Sequence, residues 1–288
     1  MKFCIGSAQI GSNYGLLNNK VDKKNLSKIL KFSKKNKINY IDTAISYRNS
    51  HKILSSYNIK NFKLITKFKL PKTIKKHEVR NYVYNEAIKS KKYLKINQIY
   101  GFLIHNILDL INFPNEINLA FQDLKNDKII IKNGISIYSE SEIDKIIEYF
   151  SPDIIQVPVN ILNQQFLKSK KLKNLKKKNK ILIFVRSIFL QGVLLMEKNY
   201  ILANKNISLR LKRKLIEWNF WCDKKKITKL EACLNLIKNQ NILDVLIVGF
   251  DSLIQFKETI RHFNKKKYPL NLNKFDLKNK KLADPRLW

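Results

Sequence analysis

Asp42, Tyr47, Lys67 and His105 are a carboxylate, a phenol, an ammonium and an imidazole, each following a short apolar run. Asp42 and Tyr47 stand in NYIDTAISY, Lys67 in KLITKF and His105 in GFLIHN. Together these types can deliver a proton to an oxygen. A phenol, with an ordinary pKa near ~10, is a weak acid at neutral pH and needs a neighbouring cation to give up its proton. Lys67 is the candidate cation, and Asp42 is the carboxylate that would pair with it and hold it near Tyr47. The four residues read as the ends of four successive strands. They meet only if those strands run parallel and their C-terminal ends converge.

The elements that must position them recur through the chain. Apolar runs compatible with buried parallel strands lie at 2–11, 38–44, 62–68, 98–106, 129–138, 153–160, 181–187 and 244–250. Stretches with helical periodicity separate most of them. After Asp22, the residues Leu26, Ile29 and Leu30 share one helical face. Ile143, Ile146, Ile147 and Phe150 follow Ser139 and Ser141, either of which suits a cap with an acid three residues on. Phe256, Ile260 and Phe263 follow Ser252 in the same way. Strands alternating with helices predict an α/β fold, a single (β/α)8 TIM barrel over residues 1–288, for which ~250 residues is typical. An extended insertion at about 193–243, holding Trp218 and Trp221, is too long for one crossover and predicts extra helices and a loop. Gly11 and Gly15 after the first strand, Gly192 after the seventh and Gly249 at the eighth stand where backbone must turn or approach a ligand.

Composition removes several function classes. With 44% hydrophobic residues the chain can fill a core, which excludes wholesale disorder. No run reaches the ~18 uninterrupted apolar residues of a membrane span. The N-terminal segment reads as a first strand rather than a signal peptide. Cys4, Cys222 and Cys233 show no C-x-x-C spacing, so neither a disulfide framework nor a zinc site is expected, and a reducing cytoplasm is. No metal is expected. The formal net charge of +35 comes from Lys+Arg 57 against Asp+Glu 22. The excess is mostly lysine scattered in short bursts, accompanied by abundant isoleucine and asparagine, the profile of an adenine- and thymine-rich genome. No RNP motif, zinc finger or arginine-rich arm is present. A specific nucleic-acid role is therefore not expected, although weak salt-sensitive adhesion to polyanions follows from the charge.

The order aspartate, tyrosine, lysine, histidine resembles the tetrad of the aldo-keto reductases. The blocks GSAQIGSNYG, YIDTAISYRNSHKIL, NGISIYS, DIIQVPVNILNQQ, VRSIFLQGVLL and LIVGFDSLIQFKE resemble that family in their expected places, over almost the whole chain. The resemblance implies reduction of an aldehyde or ketone with NADPH or NADH, with Tyr47 as the acid and His105 donating a hydrogen bond to the substrate carbonyl. It also implies that Ser136 and Gln156 bind the nicotinamide carboxamide and that Leu190, Gln191 and Gly192 lie along the pyrophosphate. Gly249, Phe250, Ser252 and Gln255 would hold the adenosine end, where a helix N-terminus favours an anion. The VRS-x-FLQG segment and the tail KKLADPRLW (280–288) are similar to bacterial members associated with sugar or surface-polysaccharide metabolism, which implies a sugar-like small-molecule carbonyl. Trp288 would fold over the mouth or pack outside the barrel.

Three positions depart from the family's pattern. Arg186 stands where an aromatic ring commonly stacks on the nicotinamide; a guanidinium there either stacks or binds an acidic substrate. Ile137 stands where many members have asparagine. Asp251 stands where many have the arginine that grips the 2′-phosphate of NADP. An acid there repels that phosphate and can accept a bond from the ribose hydroxyl of NAD, with Lys257 and Arg261 as possible compensation. Two other roles stay open: a nucleotide-binding sensor or accessory barrel with weak turnover, and a basic nucleic-acid-binding protein. The sequence carries no signal for oligomeric state.

Overall fold

The computed structural model describes residues 1–10, 21–47, 49–238, 240–266 and 269–288. Gly11 and Gly15, read above as turn glycines, lie outside the described residues. Strands β1 (Lys2–Gly6), β2 (Tyr40–Asp42), β3 (Lys63–Phe68), β4 (Ile99–Ile104), β5 (Ile130–Ser136), β6 (Ile154–Pro158), β7 (Leu182–Arg186) and β8 (Val245–Val248) pair in parallel in sequence order. β8 returns to β1, with Cys4 opposite Ile247, and closes the barrel. Each strand falls within an apolar run read from the sequence and is shorter than that run.

Helices cover the outside. They are α1 (Lys23–Lys35), α2 (Ser50–Leu54), α3 (Val79–Leu94), α4 (Ile107–Asn112), α5 (Pro114–Asn126), α6 (Glu142–Tyr149), α7 (Gln165–Lys168) and α8 (Lys170–Asn179). After β7 come α9 (Lys198–Ala203), α10 (Leu209–Lys224) and α11 (Lys229–Ile237), and α12 (Leu253–Asn264) follows β8. Asp22 caps α1 by accepting the Asn25 N–H at 2.6 Å, and Ser252 caps α12 through the Gln255 N–H at 3.3 Å. Ser141, the N-cap of α6, makes no side-chain cap bond. The Ser139 hydroxyl accepts the Ser141 N–H at 3.3 Å, and Glu142 reaches back to accept the N–H groups of Tyr138 at 2.8 Å and Ser139 at 3.4 Å.

Strand side chains alternate between the two faces of a sheet, so residues two apart face the barrel axis together. The inner set includes Cys4, Tyr40, Ile65, Leu103, Ile154, Phe184, Val245 and Ile247, which form a closed apolar cluster. Two residues onward along six of the strands stand Asp42, Lys67, His105, Gln156, Arg186 and Gly249. The axis is therefore filled by an apolar plug with a polar layer on top, at the C-terminal ends of the strands. Gly134, two residues before Ser136, is required here. A Cβ at that position would lie 2.4 Å from the Ile154 carbonyl oxygen, and a clash with backbone does not relax cheaply.

The helices after β7 support the mouth. Trp218 of α10 is buried, stacks against Trp221 with centroids 5.5 Å apart, and donates its indole N–H to the Leu194 carbonyl at 2.9 Å. That bond anchors the loop following β7, where Ser187 (φ 62), Leu190 (φ 48), Gln191 (φ 55) and Gly192 (φ 89) all adopt left-handed backbone. Only the glycine does so without strain; for the others packing must hold the conformation. Leu190 itself is fully buried. At the C-terminus Trp288 bonds the Leu282 carbonyl at 3.3 Å and packs against the outer core.

Candidate functional site

Asp42 and Lys67 meet beneath the mouth. Lys67 Nζ lies 2.7 Å from each Asp42 carboxylate oxygen and 2.8 Å from the Thr43 carbonyl. The pair is almost sealed from solvent, at 4% exposure for Asp42 and 1% for Lys67. Every ammonium proton thus has an acceptor, as a buried cation requires. Gln156 Nε2 donates to Asp42 Oδ1 at 2.8 Å, and the Ser136 hydroxyl lies 3.5 Å from Gln156 Oε1. The network joins strands β2, β3, β5 and β6.

Tyr47 does not end a strand. It sits in the turn after β2, so three strands, not four, carry the tetrad. Its N–H donates to the Ala44 carbonyl at 3.0 Å, and its carbonyl accepts the Ser50 N–H at 2.8 Å. The ring is half-buried, with its centroid 5.4 Å from Lys67 Nζ and 6.1 Å from that of His105. Burial, followed by the Asp42 charge, pushes the phenol above its usual range, while Arg186 acts in the opposite sense. Lys67, expected to make Tyr47 the stronger acid, stands 5.4 Å from the ring centre with its hydrogen bonds on Asp42 and Thr43, and Arg186 is a second cation acting on the phenol.

His105 follows β4, its Nδ1 3.3 Å from the Ser46 hydroxyl. Burial, aided by Lys67, Arg186 and Lys69, pushes its pKa down to about 3, so the imidazole is neutral at physiological pH. In the tautomer protonated at Nε2, the Ser46 hydroxyl donates to Nδ1 and the Nε2–H is available to a carbonyl oxygen. His51, 3.1 Å from the Thr66 hydroxyl, is likewise pushed down to about 4 by burial and then by Lys67. Both histidines take up protons near pH 6.5 only when the chain unfolds. Their stabilising contribution is therefore present above about pH 6.5 and is lost as the pH falls towards 3, by up to ~1.4 kcal/mol per pH unit for each. Thermal unfolding between pH 7 and pH 4 should show this slope, and His51→Gln should flatten it; an unchanged slope in the variant would refute the assignment.

A cavity of about 390 Å³ begins at Tyr47, His105, Tyr138 and Arg186, passes Gln156, Gln191 and Gly192, and ends at Gly249, Phe250, Asp251, Gln255 and Glu258. Of the sequence-proposed contacts, Ser136 and Leu190 are buried behind this wall, and the Ser252 hydroxyl is used in capping α12. At the far end Gln9 Nε2 donates to Asp251 Oδ1 at 2.6 Å. A Cβ on Gly249 would lie 2.1 Å from Gln9 Oε1, so the absent side chain leaves the channel in which Gln9 lies. Lys257 lies against the Phe32 ring at 5.4 Å and Arg261 against His262 at 3.4 Å; neither lines the cavity. Gln9, Ser46, Tyr138 and Glu258 were not singled out from sequence, since nothing in their spacing marks them.

The shape fits an elongated dinucleotide: a proton-transfer centre at one end, a loop with glycine along the middle, and the N-terminus of α12 at the other. Among the described residues no group of His, Cys, Asp and Glu could hold a metal ion, and no helix is long and apolar enough to cross a membrane.

A parallel barrel with this polar centre at its C-terminal mouth defines an oxidoreductase of the carbonyl-reducing class. Residues 2–278 match the Aldo/keto reductase family, and the chain belongs to it. It is accordingly an NAD(P)H-dependent oxidoreductase acting on small carbonyl compounds. Solved structures share the fold. The holo form of aldo-keto reductase AKR11C1 from Bacillus halodurans superposes with a TM-score of 0.71 at 17% identity, covering 95% of this chain and 89% of that one. The glycerol dehydrogenase AKR11B4 from Gluconobacter oxydans gives 0.67 at 18%, covering 94% and 89%. The putative aldo-keto reductase PA4992 from Pseudomonas aeruginosa gives 0.65 at 15%, covering 91% and 88%. No curated protein sequence matches the chain.

Proposed function

We propose that this protein reduces an aldehyde or ketone, sugar-derived carbonyls included, to the alcohol, with Tyr47 delivering the proton and NADH as the preferred cofactor. The observation that carries the reading is one cavity that joins Tyr47 and His105 to an acidic adenosine end. When bound, the reduced nicotinamide supplies the hydride that no side chain carries. His105 donates from Nε2 to the carbonyl oxygen and supports the charge that develops there. Tyr47 passes its phenolic proton to that oxygen, and the proton is replaced from solvent. Asp42 and Lys67 fix the floor of the site and hold Gln156 in place. Gln156 would bind the carboxamide, with Ser136 orienting Gln156 from behind. Gln191 and Gly192 would lie along the pyrophosphate, Leu190 contributing backbone alone. Gly249, Phe250 and Gln255 would hold the adenosine, with Ser252 shaping the helix terminus.

The preference for NADH rests on charge. The described lining of the far end carries Asp251 and Glu258 and no lysine or arginine, in a chain where basic residues far outnumber acidic ones. Carboxylates accept ribose hydroxyls and repel a 2′-phosphate. Oxidation of NADH and of NADPH, followed separately with a panel of small aldehydes and sugar-derived carbonyls, tests both parts. NADH is expected to give a kcat/KM at least about tenfold higher, equivalent to ~1.4 kcal/mol. Asp251→Ser combined with Glu258→Gln should narrow the gap. Equal use of both cofactors would remove the preference, and oxidation of neither would remove the reading itself.

A further inference from the structure

Lys67 is spent on Asp42, and His105 is neutral, so Arg186 is the one permanent cation in the described lining of the cavity. Its guanidinium is fixed rather than free. Nη2 donates to the Ile137 carbonyl at 3.1 Å, Nη1 lies 3.4 Å from the Ser187 hydroxyl, and Cζ stands 4.0 Å from the centre of the Tyr138 ring. Arg286 from the tail lies 3.3 Å from the same ring centre, and its charge is met by Asp284 through paired bonds at 2.9 and 3.1 Å from Nε. Arg186 forms no salt bridge: among the described residues no carboxylate lies within salt-bridge distance of it, and Asp284, paired with Arg286, feels its charge only at longer range. Among the described residues its other N–H groups make no hydrogen bond, and Arg186 lines the cavity together with Tyr47 and His105, where the substrate carbonyl is expected.

Resting on the function proposed above, we propose that Arg186 is a specificity-determining residue that binds an anionic group of the substrate, a carboxylate or a phosphate carried a few bonds from the carbonyl. A half-buried guanidinium anchored on one edge is costly to leave unpaired, and a planar fork matches either anion with two parallel bonds. Ile137 contributes because its carbonyl orients the fork while its apolar side chain, fully buried, offers no competing contact. Arg286 contributes because it holds Tyr138 in place from the tail.

The test compares matched substrates with NADH. Succinic semialdehyde is set against pentanal, and glyceraldehyde 3-phosphate against glyceraldehyde, in the wild type, Arg186→Gln and Arg186→Lys. In the wild type at least one anionic member is expected to exceed its neutral counterpart about 100-fold in kcat/KM, and the identity of that member distinguishes carboxylate from phosphate. Arg186→Gln should lower the anionic value by about 10²–10³, mainly through KM, the size expected when one partner of a bonded charge pair is removed. The neutral partner should lose far less than the anionic one, its change reporting only the effect of the lost charge on Tyr47 and His105, and NADH binding, read by fluorescence titration, should stay within about twofold. Arg186→Lys should recover part of the loss. Thermal unfolding of each variant confirms that it folds.

Equal losses on neutral and anionic substrates, or weakened NADH binding in Arg186→Gln, would overturn the proposal and place the guanidinium against the cofactor instead. A wild type that prefers neutral carbonyls would overturn it as well. Absence of turnover on every carbonyl, charged or not, would instead sink the reductase reading, and this proposal with it.

Discussion

Replacing Tyr47 with phenylalanine is expected to lower kcat for carbonyl reduction by about 10²–10⁴, the usual contribution of a positioned proton donor. The change removes one oxygen and leaves the ring, so the turn that positions it should persist. That turn is held by backbone bonds from Tyr47 to Ala44 and from Ser50 to Tyr47. Cofactor binding measured by fluorescence should be unchanged, so the loss would fall on kcat. The wild-type pH profile carries a second signature. A proton donor must be protonated, and the Tyr47 phenol is raised above its ordinary range by burial and by Asp42. Reduction should therefore hold its rate through neutral and mildly alkaline pH and fall only beyond ~10. A Tyr47→Phe enzyme with undiminished kcat would assign the proton to another group.

Lys67→Met should act on the fold as strongly as on the chemistry. It leaves the Asp42 carboxylate buried with the Gln156 amide as its remaining side-chain donor. Removing one partner of a buried pair typically costs ~3–5 kcal/mol. At ~2–4 °C per kcal/mol, thermal unfolding should begin well below the wild-type temperature. The decisive comparison is the double variant Lys67→Met with Asp42→Leu, in which no charge is stranded. It should recover much of the stability while remaining without activity. If the single variant is as stable as the wild type, the pair does not hold the barrel mouth together.

The barrel was legible because its signal is repeated. Eight apolar runs, evenly spaced but for the long insertion before the last, survive errors in any one of them, and the order of Asp42, Lys67 and His105 followed from that spacing. A further regularity lay in the strands themselves, an apolar inner residue followed two positions later by a polar one. Tyr40–Asp42, Ile65–Lys67, Leu103–His105, Ile154–Gln156 and Phe184–Arg186 all obey it, the two positions sharing one face of a strand. Tyr47 escaped that logic because it is placed by a turn, whose geometry depends on Ala44 and Ser50 rather than on alternation. Gln9 and Ser46 were illegible for a related reason. Each matters through a partner distant in sequence, Asp251 and His105, and periodicity says nothing about such pairings. The direction of the Tyr47 shift was also hidden, since residue types alone do not reveal that Lys67 has all its protons engaged elsewhere.

The bond from Gln156 to Asp42 also bears on handedness. An amide has two unlike ends, and Asp42 accepts from the nitrogen, so a flip would set oxygen against carboxylate. With its orientation locked, Gln156 would present its oxygen to the amino group of a bound carboxamide and fix which way the pyridine ring lies. On that reading the Lys67–Asp42 pair, buried beneath the mouth, would also decide which of the two prochiral hydrogens at the nicotinamide C4 is transferred.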